Sequence, residues 1–110
     1  MRITMDELEY DNSQRRLYRG IPYTGTAWEF YVNGEVMTEQ TFHEGVPHGV
    51  SRAYRPGERI ESERWHNYGR RNGRWRTWHE NGRLAEELIY ERGHIVSRGA
   101  WTEDGRPIDD

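Results

Sequence analysis

The side chains best equipped for chemistry are five histidines, four serines and many carboxylates. A zinc site needs imidazole and carboxylate ligands that converge from different elements at about 2.0–2.1 Å from the metal. His43 and His66 each follow an aromatic residue, but Glu91 takes the corresponding third place, and no ligand-type spacing links the histidines. No serine lies in a Gly-x-Ser-x-Gly nucleophile elbow. We therefore predict no metal site, no catalytic residues and no cofactor.

Acidic and basic residues recur at facing positions of neighbouring β-like runs. The acids are Glu61, Glu63, Glu86 and Glu87, and the bases are Arg52, Arg74 and Arg76. Opposite charges at facing strand positions form cross-strand ion pairs, whereas acid–base catalysis needs an enclosed site that shifts pKa values. The glycine-rich stretch 69–73 also lacks the Gly-Lys-Ser/Thr ending of a phosphate-binding loop. These patterns predict a chain that is not an enzyme.

The basic segment 70–76 is the strongest candidate for binding, because its arginines alternate with Trp75 and are followed by Trp78. Arginine and tryptophan are enriched in protein-interface hot spots. The same mixture suits single-stranded nucleic acid and anionic lipid headgroups, and a solvated hairpin link is an equally consistent interpretation. Trp28 stands where the next two repeats have arginine, which predicts an exposed anchor. The predicted partner-binding residues are Trp28, Arg52, Arg70, Arg71, Arg74, Trp75 and Arg76.

The elements that must position these residues are marked by glycines and aromatics at a spacing of about 24 residues. A fixed period in this range is typical of repeat architectures. The glycines form three registers: Gly25, Gly49 and Gly73; Gly45, Gly69 and Gly93; and Gly34, Gly57, Gly82 and Gly105. The aromatics that keep the same spacing are Phe30, Tyr54, Trp78 and Trp101, and Phe42, Trp65 and Tyr90. We interpret both sets as structural residues of a repeat.

Each repeat is predicted to be a β-hairpin. Asn33-Gly34, Asn81-Gly82 and Asp104-Gly105 suit a type I′ turn, whose two central residues need positive φ. Pro56-Gly57 must form a different turn, because proline cannot adopt positive φ. The predicted strands are 26–32 with 36–42, 50–55 with 59–65, and 74–80 with 84–90, followed by a half-unit at about 98–108.

These hairpins predict one all-β domain over residues 1–110, built as an elongated single-layer antiparallel array. A degenerate hairpin covers 1–20, with 14–19 pairing with 1–10 around Asp11-Asn12. Full repeats follow at about 21–44, 45–68 and 69–92, and a half-repeat at 93–108. Only 33% of residues are hydrophobic, but 13% are aromatic. Because aromatics bury large areas, this composition predicts a thin fold held by aromatic packing.

The motifs resemble membrane-occupation-and-recognition-nexus (MORN) repeats, and in particular the bacterial variant known as an antitoxin component of toxin–antitoxin systems. The matching stretches are 18–25, 31–34, 42–49, 72–84 and 90–93, so the resemblance covers roughly residues 15–106. The turn at Pro56-Gly57 and Ser97, which stands at a repeat-glycine position, depart from the pattern. The resemblance implies a sheet of hairpins used for recognition.

We therefore predict a protein-binding module of the antitoxin or immunity type, which neutralises a toxin by covering its active surface with one sheet face. The alternative function is binding of anionic lipid or nucleic acid through segment 70–76, because residues 49–92 hold seven acids and ten bases. Salt should weaken polyanion binding steeply.

Cellular context and assembly follow from the rest of the composition. There is no cysteine, the first residues lack a signal peptide's apolar core, and no apolar run approaches the ~20 residues of a membrane helix. These features predict a cytoplasmic protein without a transmembrane segment. Acidic tails, Asp6, Glu7 and Glu9 at one end and Asp109 and Asp110 at the other, would discourage edge pairing. Monomer and edge-paired dimer both remain open.

Overall fold

A computed structural model describes residues 2–108, and nearly all of its regular structure is β-strand. The all-β prediction is confirmed. Asp109 and Asp110, to which an edge-protecting role was assigned, lie outside the described residues. The strands are β1 Ile3–Thr4, β2 Leu8–Tyr10, β3 Arg16–Tyr18, β4 Ile21–Pro22, β5 Gly25–Phe30, β6 Val36–His43, β7 Val46–Arg55, β8 Arg59–Asn67, β9 Arg70–Trp78, β10 Leu84–Glu91 and β11 His94–Ala100, with one 3-10 turn at Met5–Glu7.

The main sheet has eight strands in the order β1-β5-β6-β7-β8-β9-β10-β11. From β5 onward each strand pairs antiparallel with the next one in the chain, and only β1 pairs parallel, with β5. The molecule measures 48 × 37 × 18 Å, so the sheet is long and thin as expected. This topology confirms the elongated antiparallel architecture.

A second, three-stranded sheet (β2-β3-β4) packs on the N-terminal end of the first. Its β2–β3 hairpin is the one predicted around Asp11-Asn12. Its packing against β5 and β6 was not predicted, and it produces the main apolar core. Ala27 is fully buried, and the core comprises Met5, Leu8, Ala27 and Phe42, with Ile3, Tyr18 and Tyr23 against it. Apolar burial is therefore concentrated at this end.

The type I′ prediction for the Asn-Gly turns is wrong. Only the glycine has positive φ (90° at Gly34 and 89° at Gly82), and Gly34 N–H donates to the Tyr31 carbonyl at 2.9 Å. This geometry is the three-residue loop in which a type I turn is followed by a left-handed glycine. The Asn33 side-chain oxygen accepts the Glu35 N–H at 3.0 Å, which explains asparagine at this place without positive φ. Pro56-Gly57 does differ, since Gly57 and Glu58 both have positive φ.

Pairs of positive φ occur instead at the opposite ends of the strands. Glu44-Gly45, Tyr68-Gly69 and Arg92-Gly93 each have positive φ at both positions, as a two-residue type I′ turn requires. The two sheet margins therefore use different turns, and both kinds place a glycine in the left-handed region.

The glycine register of Gly25, Gly49 and Gly73 lies within strands, and Gly49 and Gly73 accompany β-bulges. Gly49 in β7 and Gly73 in β9 have φ of 84° and 82°, and the register with the preceding strand shifts beside each. A bulge inserts residues into one strand, bends it and strengthens its twist. The strands β7 and β9 consequently begin four residues earlier than predicted, at Val46 and Arg70. Ser97 in β11 has no positive φ, and only one extra residue is inserted there.

Candidate functional site

The strand register assigns the predicted contact residues to opposite faces of the main sheet. Residues paired directly across antiparallel strands point to the same face, and successive residues point to opposite faces. We call the two faces the ladder face and the cluster face. The ladder face carries the row Trp28, Glu39, Arg52, Glu63, Arg76 and Glu87. The cluster face carries the row Ala27, Gln40, Ser51, Arg64, Trp75, Leu88 and Arg98.

The ladder face is a row of alternating charges that neutralise each other. The Arg52 guanidinium lies between Glu63 (Nε–Oε2 3.0 Å) and Glu39 (Nη1–Oε1 3.4 Å). Arg76 Nε contacts Glu87 Oε2 at 2.6 Å. The predicted cross-strand pairing is confirmed at these positions. The guanidiniums of Arg52 and Arg76 are thus already paired with carboxylates of their own chain.

Two aromatics of the ladder face are likewise tied to neighbours. Tyr54 donates its hydroxyl to Glu39 at 2.7 Å, and burial together with this carboxylate raises the pKa of Tyr54 to about 12. Trp28 is half-buried, and the Arg2 guanidinium lies 5.2 Å from its ring centroid. The predicted exposure of Trp28 is therefore wrong, because the N-terminal segment covers part of the ring, and its role in partner binding stays a prediction.

The cluster face holds a compact group of cations and rings. We define the arginine–tryptophan cluster as Arg64, His66, Arg71, Trp75 and Tyr90. Arg64 and Arg71 lie 5.2 and 5.1 Å from the Trp75 ring centroid, and His66 and Tyr90 each lie 5.1 Å from it. The Trp75 indole N–H donates to the Trp65 carbonyl at 2.7 Å, which fixes the ring. The cluster comes from β8, β9 and β10.

The arginines of this cluster form no ion pair within the described residues, although Glu86 lines the same depression as Arg64 and Arg71. Within residues 2–108, neither Arg64 nor Arg71 has a carboxylate within ion-pair distance. His66 lies beside them with its ring Nδ1 buried and without a hydrogen-bond partner. Burial, and then the charges of Arg71 and Arg64, lower the pKa of His66 below its usual value of 6.5. Two exposed guanidiniums beside a fixed indole have the chemistry to contact an anionic or planar group, such as a carboxylate.

A shallow depression of about 190 Å³ adjoins the cluster between Arg64, Trp75, Thr77 and Glu86. It is open to solvent and lies on the cluster face, next to a second depression whose lining includes Thr38, Ser51, Ser62 and Arg64. The second depression carries the hydroxyl groups of Thr38, Ser51 and Ser62 beside Arg64 and His66. Both depressions are shallow, unlike the deep pockets that enclose small-molecule ligands.

The predicted contact residues do not lie on one face. Arg71 and Trp75 belong to the cluster, whereas Arg74 and Arg76 alternate with them and share the ladder face with Trp28 and Arg52. Arg70 follows the Tyr68-Gly69 turn and is exposed. The prediction that one sheet face presents the contact residues is therefore wrong for Trp75, which lies on the opposite face from Trp28, Arg52 and Arg76.

The sequence prediction also missed Arg64, His66 and Tyr90 as members of the cluster. The sequence pattern predicts Tyr90 only as a structural aromatic of the repeat, and it predicts no metal-binding or catalytic role for His66. A signal for Arg64 was present, because the Tyr68-Gly69 turn brings β8 back against β9 and pairs Arg64 with Trp75. The pairing of Arg64 with Trp75 also requires the bulge at Gly73, which shifts the strand register, and the local sequence does not predict the size of that shift.

Two other histidines, His48 and His79, make structural contacts. His79 and the Trp101 carbonyl lie 2.8 Å apart, in the same relation as the Tyr31 hydroxyl to the Tyr54 carbonyl at 2.6 Å. His48 stacks on Tyr68 and accepts its backbone N–H at 3.0 Å. In the part of the chain that the structure describes, no group of three or more histidine, cysteine or acidic side chains is arranged to hold a metal ion.

No known family, curated protein or solved structure matches this chain. The resemblance to MORN repeats therefore rests on the sequence motifs and stays a prediction. Between residues 2 and 108, no helix has the length and apolar character needed to cross a membrane.

Proposed function

We propose that this chain is a non-enzymatic protein-binding module whose arginine–tryptophan cluster recognises an acidic surface of a partner protein. The observation that carries the proposal is the pair of exposed guanidiniums of Arg64 and Arg71 beside Trp75, neither of which forms an ion pair within the described chain. Preorganised arginine and tryptophan side chains are the types most often found at interface hot spots. The resemblance to antitoxin-type MORN variants supports a toxin as the partner, neutralised by occlusion.

The rigidity of the cluster favours tight and specific contact. Trp75 is held by its hydrogen bond to the Trp65 carbonyl, and Tyr90 is buried beneath the group. The Trp75 ring therefore needs little ordering on binding, and a partner carboxylate that contacts Arg64 or Arg71 gains charge-assisted hydrogen bonds. The ladder face offers less, because its guanidiniums must first give up Glu39, Glu63 or Glu87.

A second candidate function, binding of anionic lipid or nucleic acid, is supported by the exposed side chains of Arg70, Arg71 and Arg74 in the first half of β9, with Arg71 on the cluster face and Arg74 on the ladder face. This set shares only Arg71 with the cluster. The two functions can therefore be separated by the arginines that they do not share.

The test is affinity capture with the tagged protein and two double variants. We expect one stoichiometric protein to be retained by the wild type and by Arg70→Ala/Arg74→Ala, and lost with Arg64→Ala/Arg71→Ala. Truncating two charged hot-spot residues typically costs about 2–4 kcal/mol, or roughly 30- to 1,000-fold in Kd. For the antitoxin function, the retained protein must arrest growth when expressed alone, and co-expression of this chain must restore growth.

Vesicles of phosphatidylserine and a poly(dT) oligonucleotide test the second function. Binding that depends on Arg70 and Arg74 and falls steeply between 50 and 200 mM salt, roughly as expected for several phosphate contacts, would establish the second function. Loss of protein capture with Arg70→Ala/Arg74→Ala, but not with Arg64→Ala/Arg71→Ala, would refute the assignment of the cluster.

A further inference from the structure

Trp65 does not hold the repeat position of Phe42 and Tyr90. Each glycine of the register within strands pairs with one residue of the following strand: Gly25↔Phe42, Gly49↔His66 and Gly73↔Tyr90. His66 is therefore the repeat equivalent of the two buried aromatics, and Trp65 precedes it by one residue. Because successive residues of a strand point to opposite faces, Trp65 lies on the ladder face, opposite the arginine–tryptophan cluster.

The repeat does not require a tryptophan at this position. Thr41 and Ile89 are the residues equivalent to Trp65, since each pairs with the residue that follows the strand glycine, as Trp65 pairs with Val50. Trp65 is 40% exposed, and it is therefore no part of the apolar core. A large indole left in water where threonine also fits is a candidate for ligand contact rather than for packing.

An open depression of about 510 Å³ surrounds Trp65. Its polar lining comes from three adjacent strands: His48 of β7, Glu63 and Asn67 of β8, and Asn72 and Arg74 of β9. Gly73 also lines it, and a Cβ there would lie 3.4 Å from the Trp65 Cβ. The tryptophan side chain thus rests against bare backbone at the β9 bulge, and polar side chains surround it.

Most of these polar side chains have unused hydrogen-bonding capacity. Asn67, Asn72 and Arg74 are exposed, and within residues 2–108 neither their side chains nor the Trp65 indole N–H form a hydrogen bond with the protein. Glu63 differs, because Arg52 holds its carboxylate at 3.0 Å. A primary amide donates and accepts hydrogen bonds, and so does a hydroxyl group. Two amides beside one ring therefore suit a ligand with many hydroxyls.

The charges around the depression balance. With Arg74, the ladder-face row has three acids and three bases: Glu39, Glu63, Glu87, Arg52, Arg74 and Arg76. Arg70 and Glu91, both exposed at the same margin of the sheet, add one charge of each sign. Binding of a polyanion depends on an excess of positive charge. This surface has no such excess, and it selects its ligand by stacking and by neutral hydrogen bonds.

We propose that the depression around Trp65 binds a neutral saccharide. One pyranose ring stacks on the indole, and its hydroxyl groups form hydrogen bonds with Asn67, Asn72 and Arg74. The C–H groups on a sugar face carry partial positive charge, which the negative π face of an indole attracts. A nucleobase also stacks on tryptophan, but the phosphates attached to it would lie over a face without net positive charge. This binding site goes beyond the proposed protein-binding function and lies on the opposite face from the cluster.

The test is a titration of the isotope-labelled full chain with four neutral disaccharides: cellobiose, maltose, lactose and diacetylchitobiose. We expect at least one of them to shift, in a saturable way, the indole N–H resonance of Trp65 and the side-chain amide resonances of Asn67 and Asn72. The indole resonances of Trp28 and Trp101, which lie outside β8 and β9, should not move. Added salt should leave the affinity unchanged, because no ion pair forms.

Substitutions of Trp65 separate stacking from folding. Trp65→Thr copies Thr41, keeps the backbone carbonyl that accepts the Trp75 indole N–H, and should lower saccharide affinity by about tenfold. Trp65→Phe keeps an aromatic face and should retain most of the binding. Tyr10→Thr removes a 57% exposed aromatic of the three-stranded sheet and is the matched control that should bind like the wild type.

Asn72→Ala tests the hydrogen bonds without changing the ring. It should lower saccharide affinity about three- to tenfold, as expected for one or two lost hydrogen bonds. Circular dichroism and the Tm check the folding of each variant.

The proposal is wrong if none of the four disaccharides shifts Trp65, or if Trp65→Thr binds as tightly as the wild type. If adenosine monophosphate shifts Trp65 while every disaccharide fails, the depression binds a nucleobase instead. These outcomes leave the proposed protein-binding function untouched, because its capture experiment depends on Arg64 and Arg71 of the opposite face.

Discussion

At the scale of single residues, the pKa of His66 depends on the charges of the arginine–tryptophan cluster. Its pKa is lowered first by burial and then by Arg71 and Arg64, so the folded protein keeps this imidazole neutral where the unfolded chain would protonate it. Since protonation then favours the unfolded state, stability should rise with pH through the region just below 6.5 and should be lost as pH falls. A partner carboxylate that neutralises Arg64 and Arg71 would raise the pKa of His66.

The first prediction follows from that direction. The free energy of unfolding, measured by urea titration between pH 5 and 8, should increase with pH, and His66→Gln should flatten the increase. His94→Gln, on an exposed strand, is the matched control for the effect of a histidine-to-glutamine substitution on the stability measurement. An unaltered slope in His66→Gln would contradict the buried, neutral state of the imidazole.

At the scale of elements, the turn residues alone predict most of the architecture. Asn33-Gly34 and Asn81-Gly82 locate hairpin loops because short-range backbone preferences dominate there, although the turn type was wrong. The bulges at Gly49 and Gly73 are a different matter, because the register shift they accompany decides which residues share a face. Strand alternation alone predicts that Arg74 and Trp75 point to opposite faces. Predicting that Arg64 pairs with Trp75 requires the register of the whole sheet. The candidate site was for that reason only half predicted.

Two left-handed glycines form a matched pair for the second prediction. Gly34 and Gly45 have φ of 90° and 86°, but a Cβ at Gly34 would meet open space, whereas one at Gly45 would lie 2.8 Å from the Arg16 carbonyl oxygen. Gly34→Ala should cost about 1–2 kcal/mol through backbone strain alone. Gly45→Ala should cost more, because it also pushes the three-stranded sheet away. Equal losses in chemical denaturation would mean that this close approach contributes little.

At the scale of the whole molecule, stability is distributed unevenly along the sheet. Met5, Leu8, Ala27 and Phe42 are buried at the N-terminal end, while Tyr90 is the buried apolar residue nearest the other end. Sequence periodicity could not reveal this asymmetry. The repeat treats all hairpins alike, and the contact of Leu8 and Met5 with Phe42 joins residues far apart in the chain. The tryptophans assigned as structural residues of the repeat are not fully buried, because Trp78 and Trp101 are half-buried and Trp65 is 40% exposed.

The third prediction concerns this gradient. Native-state hydrogen exchange should show the strongest protection in β5 and β6 and progressively weaker protection toward β11, since local opening is easiest where little apolar area is buried. Leu8→Ala should cost about 2–4 kcal/mol and reduce protection chiefly in β5 and β6. Uniform protection across the sheet would show that it opens as a single unit.

The turn glycines Gly45, Gly69 and Gly93 donate backbone hydrogen bonds to the carbonyls of Tyr23, Pro47 and Arg71, respectively. This repeated attachment means that the sheet can be lengthened by whole hairpins. Each hairpin attaches only to the one before it, so duplicating a 24-residue cassette would add two strands and leave every existing contact in place. Strands lie about 4.8 Å apart, and such a duplication would lengthen the sheet by roughly 10 Å. Duplication of such a cassette in the gene would therefore increase the distance between the N-terminal sheet and β11 in fixed steps.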